Sequence, residues 1–214
     1  MKNLYYIAIE GPIGVGKTSL AKLISERLHA RLVLEEFDRN PFLEEFYDDP
    51  RRFAFQTQLF FLLSRFKQQQ ELLQVDLFHK LLATDYMFQK DRLFAYLNLN
   101  EKELALYDQI AKHLEPQVMK PDLVIYLQAE TGRLMRNIKN RGRKFEVSIS
   151  REYIESLNQV YNQFFMRYNE TPLMIVNVTD IDFVNNSEDL EDLMDNIRKP
   201  FTGTKFYNPA KSLL

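Results

Sequence analysis

The stretch that most constrains this chain is GPIGVGKT, residues 11–18, set between the apolar run LYYIAIE and the helix-like SLAKLISERL. Gly11, Gly16, Lys17 and Thr18 match the phosphate-binding pattern G-x-x-x-x-G-K-[ST]. Glycines let successive backbone N–H groups turn inward around phosphate oxygens, where a side chain would block them. Pro12, Ile13, Gly14 and Val15 complete the turn and count with it as nucleotide-binding residues. Lys17 reaches outer phosphates as a point charge, and the Thr18 hydroxyl is a ligand for magnesium. The following helix aims its positive N-terminus at the same anion. A chance glycine turn would lack this setting: a strand-like run precedes the loop, and Leu20, Leu23, Ile24 and Leu28 then recur at helical spacing.

Such a loop excludes little by itself, so composition has to narrow the field. The 214 residues carry a net charge of −2, which provides no global attraction to nucleic acid or an anionic membrane. Without cysteine there are no disulfides, thiolate chemistry or Cys-based metal sites. His29, His79 and His113 show no metal-ligand spacing and read as surface or helix-end residues. No apolar run reaches membrane-spanning length, and a loop starting at Gly11 leaves no room ahead of it for a targeting peptide, so a cytoplasmic protein is expected. Eleven of the 17 Phe residues cluster between Phe37 and Phe94, which points to a pocket for a flat ligand.

Along the chain, strand candidates at 4–10, 32–34, 81–84, 123–127 and 173–178 alternate with helical patterns. The helices are expected at 17–29, 51 to about 75, 91–97, 101–114, 131–140, 151–168 and 187–197, with Asn100 as a cap and a break at Gly142. Asn40-Pro41 and Asp48-Asp49-Pro50 read as breaks, and the tail from Pro200 shows no clear period. This alternation predicts an α/β fold: three α/β/α layers around a five-stranded parallel sheet, in one domain spanning 1–214.

Three features bear on chemistry. Strand two runs into Glu35-Glu36, at the sheet end where ligands sit, so a carboxylate there lies across from the phosphate loop and can accept a proton from an attacking hydroxyl. A solvated acidic pair is the competing account. Gln58 and Arg65, seven apart on one helix face, can read the edge of a base; a solvated polar stripe would give the same spacing. Arg133, Arg136, Arg141 and Arg143 crowd one helix and the turn after it, and Gly142 allows a hinge between two guanidinium groups, as in a lid over about 136–150. The bland alternative is a set of cations complementing a helix C-terminus. A guanine-reading N-K-x-D is missing: the nearest stretch, Asn177-Val178-Thr179-Asp180, has no lysine.

These stretches together resemble the deoxynucleoside kinase family, most closely its bacterial deoxyguanosine/deoxyadenosine kinase branch. The resemblance rests on GPIGVGKT, EEFDRNPFLEEFYDDPRRFAFQTQLFFLLSRFK, TDYMFQKDRLFA, RNIKNRGRKFE and DIDFVNN. It implies a P-loop kinase fold with an arginine-bearing lid, and transfer of the ATP γ-phosphoryl group, with Mg2+, to a deoxynucleoside 5′-hydroxyl. On this resemblance Glu35 is the general base, with Glu36 as fallback, and Lys17 and Arg141 are the catalytic cations. Tyr47 and Glu146 hold the sugar 3′-hydroxyl, Gln58 and Arg65 read the base, and Phe94 stacks on it. Either Asp91 or Lys90 meets the base as well. Arg141 and Arg143 cover the triphosphate, Asp85 joins Thr18 at magnesium, and Asp182 and Phe183 lie over the donor adenine. The resemblance also implies a homodimer, and the net charge and the lack of a membrane-length apolar run lead us to expect no nucleic-acid or membrane partner.

The chain departs from that pattern in three places, one being that Asp91 and Phe94 stand one residue closer together than the corresponding pair in the animal enzymes. Asp85-Tyr86-Met87 stands where many relatives have Glu-Arg-Ser, so an arginine near the acceptor hydroxyl is missing, and Asn137 stands where relatives often have arginine. A nucleoside monophosphate kinase resembling thymidylate kinase is the second reading, with Arg39, Arg51 and Arg52 available for an acceptor phosphate. A non-catalytic ATP-binding switch is the third.

Overall fold

The run YYIAIE becomes a central strand because its residues alternate between two buried faces of one sheet. The computed structural model describes residues 5–72 and 80–209. Its strands are β1 (Tyr5–Glu10), β2 (Arg31–Val33), β3 (Leu81–Thr84), β4 (Leu123–Gln128), β5 (Leu173–Asn177) and β6 (Thr204–Tyr207), all parallel, in the spatial order β2-β3-β1-β4-β5-β6. The helices are α1 (Lys17–Leu28), α2 (Leu43–Asp48), α3 (Pro50–Leu72), α4 (Lys90–Asn98), α5 (Glu101–Leu114), α6 (Thr131–Arg141), α7 (Arg151–Phe165) and α8 (Ser187–Arg198).

One sheet face carries Ile7, Ile9, Ile125, Leu127, Met174 and Val176 against α1, α6 and α8. The other carries Tyr6, Ala8, Leu82, Val124, Tyr126 and Ile175 against α4 and α7. This two-sided burial is why the strands read as continuous apolar runs. A third cluster joins α2, α3, α4 and α5 through Leu43, Phe46, Ala54, Leu62, Ala95 and Tyr107.

The sheet has six strands among the described residues, not five. The segment TKFY pairs with β5 in the register Leu173↔Thr204 to Val176↔Tyr207. It is a short edge strand, with only Tyr207 buried, so its pairing comes from β5 rather than from a local apolar pattern. The expected break at Asp48-Asp49-Pro50 is a restart: α2 ends at Asp48 and α3 begins on Pro50, whose missing N–H costs nothing in a first turn. The other break is pinned from inside the protein. Buried Asn40 donates to the Thr57 carbonyl at 3.1 Å and accepts from the Phe42 N–H at 3.0 Å.

Asn100 caps α5 with a reciprocal contact to Glu103, and Gly142 ends α6 at φ 65°. His29 ends α1 in the left-handed region and His113 lies exposed on the last turn of α5, while His79 and the end near 75 expected for the helix that became α3 lie outside the described residues. No helix of the described residues is long and apolar enough to cross a membrane.

The fold positions the site through register. Ala8 pairs with Thr84 and Glu10 with Tyr126, so Asp85, at the end of β3, lies beside the start of the phosphate loop.

Candidate active site

The loop after β1 needs its first and last glycines. Gly11 has φ 149°, and a Cβ there would lie 2.5 Å from the Leu127 carbonyl oxygen of the neighbouring strand. Gly16 has φ 106°, and a Cβ would meet the Phe183 ring at 3.0 Å. Because the obstruction at Gly11 is backbone, Gly11→Ala is expected to destabilise by about 2–4 kcal/mol and to abolish nucleotide binding. A denaturant melt coinciding with wild type would sink that expectation.

Lys17 Nζ donates to the Gly11 and Pro12 carbonyls at 2.7 and 3.1 Å, so the ammonium is curled into its own loop. Burial and then the nearby Lys90 charge push its pKa down to about 8, against opposing pulls from Glu10, Glu35 and Asp85. Thr18 Oγ1 donates to Asp85 Oδ2 at 2.5 Å, and Asp85 Oδ1 accepts the Glu35 backbone N–H at 2.7 Å. One carboxylate thus ties the phosphate loop to the segment bearing Glu35.

The Glu35 side chain sits between two cations. Arg65 pairs with Oε1, and Lys90 Nζ lies 2.5 Å from Oε2. Burial raises the Glu35 carboxyl, but Arg65 and Lys90 outweigh it and hold the group well below the usual carboxylate range. Glu36 points elsewhere, pairing with exposed Arg39 at 2.7 Å.

Gln58, Arg65 and Gln69 follow the buried stripe of α3, at 2%, 3% and 0% exposure. A solvated polar stripe is therefore ruled out. Arg65 is forked between Glu35 and Asp91 and lies over the Phe61 ring at 4.9 Å. Gln58 Oε1 is buried with no hydrogen-bond partner, and Gln58 lines the cavity that Phe94 also lines. Of the neighbours Lys90 and Asp91, it is Lys90 that lines this cavity; Asp91 sits behind Arg65.

Across the cavity, the Tyr47 ring stacks on Phe145 at 6.0 Å, and Glu146 is 5% exposed. Arg141 donates twice to Glu146, at 3.0 and 2.5 Å, and Arg143 once at 3.3 Å while stacking over Phe37 at 4.0 Å. Arg141 and Arg143 thus line the same cavity as Glu35, Tyr47 and Gln58.

A second cavity, of about 630 Å³, opens on the far side of the loop against Gly14, Val15, Gly16, Arg136, Asp182 and Phe183. Arg141 lines both cavities, whereas Ile13, grouped with the donor loop by sequence, lines the first. The Asp182 carboxylate is committed to its own turn, accepting from Val184, Asn185 and the Asn185 side chain. Asn137, at the position where an arginine was missing, donates to the Gly14 carbonyl at 2.7 Å and braces the loop.

Sequence reasoning passed over Glu10. It is fully buried and accepts from the Gly11 N–H at 3.1 Å, the Met87 N–H at 2.8 Å and the Tyr161 hydroxyl at 3.3 Å. Burial raises its carboxyl, opposed by Lys90 and Lys17. The one available signal was an acidic residue ending an otherwise apolar strand directly before the loop.

The sequence and the fold both have counterparts among known proteins. The deoxynucleoside kinase family model matches residues 7–202. The chain belongs to the deoxynucleoside kinase family. Over 206 residues this kinase is 33% identical to the deoxyguanosine kinase of Bacillus subtilis, an alignment covering 93% of this chain and 99% of that protein. It is 29% identical over 198 residues to the deoxyadenosine/deoxycytidine kinase of the same organism, covering 89% and 90%. The structure of deoxyadenosine kinase from M. mycoides with bound dATP matches with a TM-score of 0.80 at 26% identity, over 91% of this chain and 100% of that one. As a member of a kinase family the chain is an enzyme, and its reaction class is phosphoryl transfer.

Proposed function

We propose that this kinase transfers the γ-phosphoryl group of ATP, as its magnesium complex, to the 5′-hydroxyl of a purine deoxynucleoside. The observation that carries the reading is the chain of contacts Thr18–Asp85–Glu35. It sets a carboxylate beside the phosphate loop, in the lining of a cavity rich in aromatic side chains. In this reading the hydroxyl oxygen forms a bond to the γ-phosphorus as the bond to the β–γ bridging oxygen breaks. The electron pair leaves with ADP, and the hydroxyl proton passes to Glu35. Lys17 and Arg141 offset the charge of the transferring group. Tyr47 and Glu146 would hold the sugar, and Phe94, Gln58, Arg65 and, through Arg65, Asp91 the base.

The Thr18 hydroxyl and the Asp85 carboxylate, a pair of hard oxygen donors in contact with each other, would hold magnesium. When bound it supplies charge neutralisation between the outer phosphates. The described residues contain no cluster of three or more acidic, His or Cys ligands, which fits an ion carried in with the nucleotide.

The monophosphate kinase reading needs cations for a second phosphate. Arg39, Arg51 and Arg52 are exposed and none lines the acceptor cavity, where Glu35 would repel that phosphate. A passive ATP switch would have no use for the acceptor cavity. A panel of deoxynucleosides and their 5′-monophosphates with ATP-Mg should therefore yield product from deoxyguanosine or deoxyadenosine and none from deoxyguanosine monophosphate. Phosphorylation confined to monophosphates would overturn the reading.

We further propose a cytoplasmic homodimer. Leu63 on α3, Tyr96 on α4 and Met166 after α7 stay exposed, and Tyr96 shares an open groove with Val160 and Phe164 and with the polar Gln163 and Arg167. Light scattering should give twice the 25.5 kDa chain mass, and a monomer at micromolar concentration would rule the dimer out.

A further inference from the structure

Lys90, named so far only as the alternative to Asp91 at the base, takes no step in the phosphoryl transfer above, yet it is placed like a reacting group. Its side chain is 6% exposed, Nζ lies 2.5 Å from Glu35 Oε2, and it sits over the Phe94 ring at 5.7 Å. It lines the acceptor cavity together with Lys17, Thr18 and Asp85. A buried lysine with one partner in a cleft is costly to maintain for stability alone, because desolvation offsets much of the attraction.

The two cations on Glu35 are not equivalent. Arg65 also holds Asp91, so protonation of Glu35 leaves it a carboxylate partner. Among the described residues Lys90 has Glu35 as its one ion pair, with the buried Glu10 charge as a more distant counterweight. When Glu35 takes up the acceptor proton, Lys90 is the cation set free, beside Lys17 and the phosphate loop. At that moment charge develops on the transferring phosphoryl group.

We propose that Lys90 is a catalytic residue, the acceptor-side cation that stabilises the transferring phosphoryl group as Glu35 is neutralised. This rests on the proposed phosphorylation of a 5′-hydroxyl. The bond changes are those already given, with Lys90 remaining an ammonium throughout. It supplies from α4 the positive charge that Tyr86 does not provide after β3.

The competing role is purely positional, with Lys90 only orienting Glu35. A double-mutant cycle separates the two. Lys90→Gln is expected to lower kcat by about 10²–10³-fold, with KM for deoxynucleoside and for ATP-Mg within about threefold of wild type. Lys90→Arg, keeping the charge, should recover at least about tenfold of that loss. In a Glu35→Gln background, Lys90→Gln should still lower turnover by about tenfold or more, since a cation acting on the phosphoryl group does not need the carboxylate. No further loss in that background, or a single Lys90→Gln variant with wild-type kcat, would overturn the proposal. Lys90→Met, of similar volume, repeats the measurement if the glutamine variant does not fold. A wild-type protein inactive on every nucleoside overturns the functional reading and this role with it. An active wild type with an indifferent Lys90→Gln overturns this role alone.

Discussion

Glu35→Gln is expected to lower turnover by about two to four orders of magnitude while leaving ATP binding nearly unchanged. The split follows from geometry. Glu35 meets the donor side through its backbone N–H, which the substitution keeps, and its side chain faces Arg65 and Lys90 in the acceptor cavity. A carboxyl held well below its usual range is a weak base. In a loose phosphoryl-transfer transition state, however, the acceptor proton leaves late, and a carboxylate that is always ionised can orient the hydroxyl before accepting it. The same shift has a pH signature in stability. Because the folded-state value is depressed, Glu35 stabilises fully above the unfolded carboxylate value of about 4.3, and that contribution fades as pH falls below it. The difference in melting temperature between wild type and Glu35→Gln should therefore shrink below about pH 4. Steady-state assays and equilibrium ATP titrations test the first claim, and unchanged turnover would remove Glu35 from the chemistry.

Arg65→Met is expected to produce the largest loss of stability, about 3–5 kcal/mol. Arg65 is the centre of a buried charge cluster with Glu35 and Asp91, and its side chain is 4% exposed. Methionine replaces its volume but not its charge. Glu35 would keep Lys90, whereas Asp91, whose ion pair among the described residues is with Arg65, would be left charged and buried. At 2–4 °C per kcal/mol for a chain of this size, the melting temperature should fall by roughly 6–20 °C. Lysine would not repair the site, since an ammonium cannot present the planar fork that serves two carboxylates. A shift under about 2 °C would mean that the cluster is solvated.

Most of the fold was legible because it is written locally. GPIGVGKT, the apolar strands and the Asn100 cap are short-range signals, and the elements expected from them formed within a few residues of their expected bounds wherever those bounds fall among the described residues. β6 was not legible, since TKFY owes its strand geometry to pairing with β5 rather than to its own pattern. The short helix α2, wedged between two proline breaks, was hidden for a similar reason: Leu43 and Phe46 are helical where they pack into the α2–α5 cluster.

The site divides along the same line. Spacing on α3 was enough to put Gln58 and Arg65 on one face, but whether that face was wet or buried depended on what packs over it. Lys90 and Asp91 are chain neighbours about 100° apart on a helix, so only the orientation of α4 decides which enters the cavity. It is Lys90, with Asp91 turned behind Arg65. Glu10 looked like a strand end, and became a buried clamp because the Met87 segment and α7 close over it. By itself the sequence determined that there is a phosphate loop, a parallel sheet and an acidic residue opposite, since these depend on backbone conformation and local periodicity. Tertiary structure alone decided how the buried charges pair, because elements distant in the chain must first meet before Glu35, Arg65, Lys90 and Asp91 can set one another's charge.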